Sequence, residues 1–193
     1  MEASVKSATA ADEAAVVAVI TLAFSTDPVV RWVYPNPREY LAHFPRRVTA
    51  VAGKAFANGT AHYAEGFAGA ALWLPPGVHP DDARPVATIR EAVSESVRGD
   101  LQKLLEQVRI AHPKEPHWYL WMIGTDPARQ GRGYGSALLQ HALASCDRDK
   151  KPAYLESSNP RNLGLYLRHG FELIGAIQVG SSPPLFPMLR KPR

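Results

Sequence analysis

The segment Gln130-Gly131-Arg132-Gly133-Tyr134-Gly135 constrains this chain more than any other. It follows an apolar run over 117–125 and opens a helical pattern over 134–146. Glycines at alternate positions let successive backbone N–H groups converge, and a helix N-terminus adds partial positive charge. Such a loop suits an anion, a pyrophosphate above all, and Arg129 and Arg132 add formal charge beside it. A nucleoside-triphosphate loop would need Gly-Lys-Ser/Thr at its end, and Gly135 is followed by Ser136-Ala137. A dinucleotide fingerprint would need a third glycine where Ser136 stands. A glycine-rich turn without a ligand stays open at this level.

The rest of the composition sets outer bounds. The chain has 193 residues, 46% hydrophobic and 21% charged, which is globular usage. That is enough to build a core without staples, so one domain over 1–193 is expected. The single Cys146 permits no internal disulfide, and without a nucleophile motif around it, it reads as a small buried hydrophobe. A net charge of +4 is mild and does not argue for nucleic acid. Met1-Glu2-Ala3-Ser4 is no leader, and the apolar stretch 14–24 is shorter than the ~20 residues of a bilayer span. A soluble cytoplasmic protein, monomer or homodimer, is expected. His112 and His117 flank Pro113-Lys114-Glu115-Pro116 without a ligand set, so no metal is expected. Arg190-Lys191-Pro192-Arg193 reads as a solvated basic end.

Periodicity and punctuation give the element order. Strands are expected over 5–8, 61–65, 69–74, 117–125, 153–157, 171–179 and 185–190. Helices are expected over 9–24, with Thr9 and Asp12 at capping-box spacing, over 38–57, from Pro80 onward with a break at Gly99, over 134–146, and from Asn159-Pro160 to Gly170. Ser25-Thr26-Asp27-Pro28 reads as the stop of the first helix, and residues 31–37 as a loop. The pattern is α/β.

Three segments carry a resemblance. Gln130–Gly135 fits, without a gap, the Gln/Arg-x-x-Gly-x-Gly/Ala loop that binds acyl-CoA. Ile123-Gly124-Thr125-Asp126-Pro127 looks like the strand and exit that precede that loop. Asn159-Pro160-Arg161-Asn162-Leu163-Gly164-Leu165-Tyr166-Leu167-Arg168-His169-Gly170-Phe171 looks like its companion, Asn…Leu-Tyr-x-x-x-Gly-Phe. The chain thereby resembles the GNAT superfamily of acetyl-CoA-dependent N-acetyltransferases over a CoA-binding core of about 113–192. Pro113–Pro116, Leu155-Glu156-Ser157 and Met188-Leu189-Arg190-Lys191-Pro192 are similar to puromycin N-acetyltransferase-like members.

The resemblance implies a mixed, mostly antiparallel sheet of about seven strands between helices, splayed between the fourth and fifth. Acetyl-CoA would enter that splay as co-substrate. The backbone at Ile123, Gly124 and Thr125 would meet its pantetheine arm. Gln130, Gly131, Arg132, Gly133, Tyr134, Gly135 and Ser136 would hold the pyrophosphate. Asn159 would touch the arm, and Asn162 stands where many members have a small residue. Tyr166 would protonate the departing thiolate, since a phenol keeps its proton at neutral pH. The reaction implied is direct attack, in a ternary complex, by a small-molecule primary amine. Acetylation of a protein lysine or N-terminus, or acyl-CoA binding without catalysis, are the alternatives.

The general base does not follow from the motifs. Several relatives carry a carboxylate at the position of Tyr119. Glu156, Glu65 and His117 are the candidates here, beside a water chain. Trp32, Tyr34, Trp73 and Trp121 are candidates for an aromatic acceptor wall, and Asp27 for a partner to a cationic acceptor.

Overall fold

The computed structural model describes residues 3–79, 93 and 95–193. Seven strands form one sheet in the order β1-β2-β3-β4-β5-β7-β6. They are β1 (Val5–Ser7), β2 (Ala61–Ala64), β3 (Gly69–Leu74), β4 (Trp118–Thr125), β5 (Ala153–Ser157), β6 (Glu172–Leu173) and β7 (Phe186–Arg190). Every pairing is antiparallel except β4 with β5. β4 pairs with β3 along its length. It pairs with β5 only through Trp118↔Ala153 and Tyr119↔Tyr154. From Leu120 onward the two strands part, as the resemblance implied. Among the described residues one edge of β4 therefore has no strand partner beyond Tyr119, and its backbone groups there are left for other partners.

The register of β4 changes where it parts from β5. Leu72 faces Met122 and Trp73 faces Leu120, so Trp121 is an extra residue with no partner on β3. A bulge re-aims side chains. Leu120 consequently packs with Trp73, Leu138 and Leu155 on one face of the sheet. Met122 packs with Ile20, Phe44 and Leu72 on the other.

The second of those faces is covered by α1 (Glu13–Ala23), α3 (Pro37–Ala57) and α4 (Glu95–Ala111), and the first by α5 (Tyr134–Arg148) and α6 (Leu163–Arg168). Gly124 lets α1 lie close, because a Cβ there would stand 2.5 Å from the Ala23 Cβ. The Thr9–Asp12 capping box is present, on a short 3-10 turn that leads into α1. Cys146 is fully buried on α5, and burial pushes its thiol up to about 12. It is the buried hydrophobe that was expected.

Four expectations need correction. Residues 28–33 are not loop but a helix, α2 (Pro28–Val33). Asp27-Pro28 starts it: Asp27 Oδ1 accepts from the N–H groups of Val29 and Val30 at 3.1 and 3.0 Å, and Pro28 takes the first helical position. Gly99 does not break α4, whose backbone continues through it. Expected helix from Pro80 to residue 92 lies outside the described residues. The strand expected over 171–179 pairs only at Glu172–Leu173 and at an isolated Ile177↔Leu185 bridge. Beyond it Gly180 takes φ +52, and the Ser181 N–H and hydroxyl both donate to Asp100 Oδ2 of α4, which holds the loop off the sheet.

The basic end is the fourth. Arg190 is 3% exposed. Its Nη1 and Nη2 donate to the two oxygens of Asp147 at 2.8 Å each, and its Nε donates to the His169 carbonyl at 3.0 Å. Asp147 lies 43 residues earlier in the chain, so no local pattern marks the pair. Among the described residues no helix is long and apolar enough to cross a membrane.

Candidate active site

A cavity of about 1040 Å³ opens beside the place where β4 and β5 part. Its wall takes Phe24 from the end of α1, Val33 and Tyr34 from α2, Phe44 and Arg47 from α3, residues of α4, Tyr119, Trp121 and Met122 from β4, and Glu156 and Ser158 from β5 and its exit. The bulge at Trp121 lets β4 contribute two successive side chains, Trp121 and Met122, to one wall. Of the four aromatic candidates, Tyr34 and Trp121 line the cavity. Trp73 is fully buried in the core on the other face. Trp32 turns away and donates from Nε1 to Ser181 Oγ at 3.2 Å.

Glu156 is the carboxylate that β5 brings to this cavity, with its side chain 7% exposed. Oε2 accepts from the Tyr119 hydroxyl at 2.8 Å. Oε1 lies 3.0 Å from His112 Nε2, off the line of a hydrogen bond, so among the described residues it has a close ring nitrogen but no donor. Sequence reading left His112 without a carboxylate partner; the structure supplies one from another strand. Tyr119 and Glu156 meet because Tyr119 pairs with Tyr154, two residues before Glu156. Where several relatives carry an acid on β4, this chain brings one from β5 to the tip of a β4 tyrosine. Burial, then the Glu156 charge, push the Tyr119 phenol well above its ordinary range, so Tyr119 acts as donor.

The other candidate bases fare differently. Glu65 is exposed on the turn between β2 and β3, away from the cavity, and is set aside. His117 lines the cavity; its Nδ1 meets the Glu115 carbonyl at 2.8 Å and burial lowers its proton affinity.

Asp27 neither lines the cavity nor ends a helix. Its Oδ2 accepts from the Ser158 hydroxyl at 2.6 Å, linking α2 to the exit of β5. Burial raises its carboxyl above the usual range. Tyr166 is 5% exposed on α6 and packs edge-on against Phe171, with ring centroids 6.0 Å apart. It is not part of the described cavity wall. Burial, then the charge of Asp27, push its phenol above the usual range.

The glycine loop stands at the head of α5. Gly131 and Gly133 take φ of +75 and +84, backbone that favours glycine. Gly133 is the N-cap, with no side-chain cap and no acid in the first turn. The first N–H to find a carbonyl is that of Ala137, on Gly133. The preceding N–H groups are left for a ligand or solvent. Arg132 is exposed, whereas Arg129 leans towards Asp126, with Nε 3.9 Å from Oδ2. Ser136 Oγ meets His169 Nε2 at 2.7 Å. Asn159 caps the turn before α6, its Oδ1 accepting from the Arg161 N–H at 3.1 Å. Asn162 is exposed at the head of α6 without a side-chain bond. Ile123, Gly124 and Thr125 lie on the part of β4 that β5 does not pair.

The sequence model of the acetyltransferase (GNAT) family matches residues 66–171, which is more than half of the chain. The chain belongs to the GNAT family. A Corynebacterium glutamicum structure described as histone acetyltransferase HPA2 and related acetyltransferase is 30% identical, with a TM-score of 0.74, and the match covers 100% of this chain and 98% of that one. An uncharacterized N-acetyltransferase of Schizosaccharomyces pombe is 29% identical over 143 residues, 65% of this chain and 57% of that protein. The chain thus matches little more than half the length of that curated relative. A polyamine N-acetyltransferase of Drosophila melanogaster, forming N-acetylagmatine, shares the GNAT fold at a TM-score of 0.67 and 12% identity, covering 98% and 99% of the chains.

Proposed function

We propose that this GNAT protein transfers an acetyl group from acetyl-CoA to the primary amine of a small molecule held in the cavity. The observation that carries the reading is the Glu156–Tyr119 pair at the cavity's end, two residues past the last β4–β5 pairing. The resemblance of its motifs to those of puromycin N-acetyltransferase-like members supports the same class of acceptor, and a cytoplasmic location belongs to the same proposal.

The residues fit acetyl-CoA. The uncapped head of α5 offers N–H groups from Gly131 to Ser136, with Arg132 beside them, to a pyrophosphate. Gln130 and Tyr134 flank this cradle. The edge of β4 at Ile123, Gly124 and Thr125, which β5 does not pair, can pair with an extended amide-bearing arm, and Asn159 and Asn162 would contact that arm. Bound there, acetyl-CoA supplies an activated thioester carbonyl.

In this reading Glu156 receives a proton from the incoming ammonium, its Oε2 held by Tyr119 and its Oε1, 3.0 Å from His112 Nε2, left without a hydrogen-bond donor among the described residues. The freed amine lone pair would form the N–C bond in the ternary complex as the C–S bond breaks, and the second proton lost by the nitrogen would return to the phenolate that Tyr166 becomes on protonating the sulfur. Tyr166, kept protonated by burial beside Asp27, gives its proton to the sulfur. Positioning of the two reactants supplies much of the remainder, on the order of 7–11 kcal/mol in favourable cases.

A second reading, acetylation of a protein amine, draws on the description of the Corynebacterium glutamicum relative. A panel of small amines, lysine peptides and N-terminal peptides, read by release of free CoA, separates the two. Glu156→Gln and Tyr166→Phe should each lower kcat by about 10²-fold or more while leaving acetyl-CoA affinity within a few-fold. Unchanged turnover in both variants would remove the mechanism. Calorimetry with no CoA binding would remove the family chemistry altogether.

A further inference from the structure

The cavity wall carries charge of both signs. Glu156 supplies one of them. Elsewhere in the wall Arg47 of α3 has no ion pair among the described residues, and its charge faces the phenols of Tyr34 and Tyr119, not a carboxylate. Burial alone pulls the guanidinium below its usual range. Arg47 is half-buried in this wall, and a partly desolvated cation that faces no anion is poorly compensated until something completes it.

Tyr34 adds an independent sign. It is 1% exposed, lines the same cavity, and its hydroxyl has no hydrogen-bond partner among the described residues. A buried hydroxyl left unmet costs on the order of one lost hydrogen bond. Arg47 and Tyr34 are near enough to shift one another's protonation. Together they offer up to six N–H or O–H donors and no obligatory acceptor. The rest of the wall leans the same way: Arg98 and Lys114 line it, and Glu106 is taken by Arg109, at 2.7 Å from Nη2. Glu156 is the acid left to face an amine.

We propose that the acceptor is a primary amine that also carries an anionic group, a carboxylate or a phosphate, held by Arg47 and Tyr34. Its body is apolar, lying along Phe24, Val33, Phe44 and Met122, and its amine points to Glu156. This rests on the cavity being the acceptor site. It separates the chain from an enzyme for polyamines or agmatine, since a second cation would face Arg47.

The test uses matched pairs: phenylalanine with 2-phenylethylamine, and 3-aminopropyl phosphate with 3-aminopropanol. Wild type should favour the anionic member by on the order of 10- to 100-fold in kcat/KM, the range of a charge-assisted contact. Arg47→Gln should cut that ratio at least tenfold, Arg47→Lys less, and Tyr34→Phe several-fold. Preference for phenylalanine alone identifies a carboxylate, and for the phosphate alone a phosphate. Equal rates on both members in wild type, or a ratio unmoved by Arg47→Gln, would overturn the proposal. Thermal melting with each amine and CoA keeps the two readings apart. If no amine is acetylated, the acetyl-transfer reading fails. The anion site still stands if an anionic amine stabilises wild type and not Arg47→Gln, and falls if neither protein responds.

Discussion

Removing either partner of the Arg190–Asp147 pair should destabilise the protein unequally, because the two charges are unequally buried. The Arg190 side chain is 4% exposed and that of Asp147 is 28% exposed. Asp147→Asn leaves the guanidinium sealed away from water with its charge unmatched. Breaking a buried pair from that side costs about 3–5 kcal/mol, and the one remaining amide oxygen places this case near 3. Arg190→Met keeps much of the buried stem volume. It leaves Asp147 able to turn to solvent and still accepting from the Arg193 N–H at 2.8 Å. Its cost should be about 1–2 kcal/mol. For a chain of this length one kcal/mol is about 2–4 °C. The expected falls in melting temperature are about 6–12 °C for Asp147→Asn and about 2–8 °C for Arg190→Met. Urea melts at pH 7 give the free energies directly. The pH dependence has a definite sign. Arg190 holds the Asp147 carboxyl below its ordinary value. The pair's contribution is therefore complete above the unfolded value near ~4 and is lost as pH falls through the folded one. The gap between wild type and Asp147→Asn should narrow in acid. If Arg190→Met costs as much as Asp147→Asn at neutral pH, burial asymmetry is not what governs this pair.

Other consequences are open to simpler measurements. Gly124→Ala drives a Cβ into the Ala23 Cβ at 2.5 Å and should cost about 1–3 kcal/mol. Ala23→Gly in the same chain should restore most of it in urea melts, and absence of rescue would refute the contact. His62 is buried, and burial, with His141 second, pulls it down to about 4. It stays neutral in the fold while the unfolded chain takes up a proton near ~6.5, so stability should rise with pH between those values, by roughly 2–3 kcal/mol. His62→Gln should flatten that slope; parallel curves for the two proteins would contradict it. Cys146 should resist thiol reagents at pH 8 until the chain opens, so labelling that is complete within the mixing time in native buffer would contradict its burial.

What could be read without coordinates was local. The glycine loop, the apolar run of β4 and the Asn159-Pro160 start each declare themselves within a few residues, and the order of strands followed. Four things did not. Asp27-Pro28 reads equally as a stop or a start, and only the bonds to Val29 and Val30 decide. Tyr119, His112 and Glu156 are brought together by a parallel pairing across which the chain runs through loop, helix and strand. No spacing rule links them. Arg47 sits on an ordinary-looking helix, and only the folded wall reveals that it has no ion pair among the described residues. The Trp121 bulge was equally hidden, since it shows only against the register of β3. Propensity speaks for elements, whereas pairs of distant residues are settled by topology.

The bonds around α5 have a mechanical meaning. Ser136 in its first turn joins the His169 ring, the His169 carbonyl joins Arg190, and Arg190 joins Asp147 near its last turn. Outside the helix, then, runs a string tied to both of its ends, as on a bow. Helix ends normally fray independently. Here slack introduced at Asp147 would travel to Ser136, so amides at the two ends should exchange with deuterium in step. The glycine loop at the head of α5 would then owe its stiffness to an arginine at the far end of the helix, one that touches no ligand.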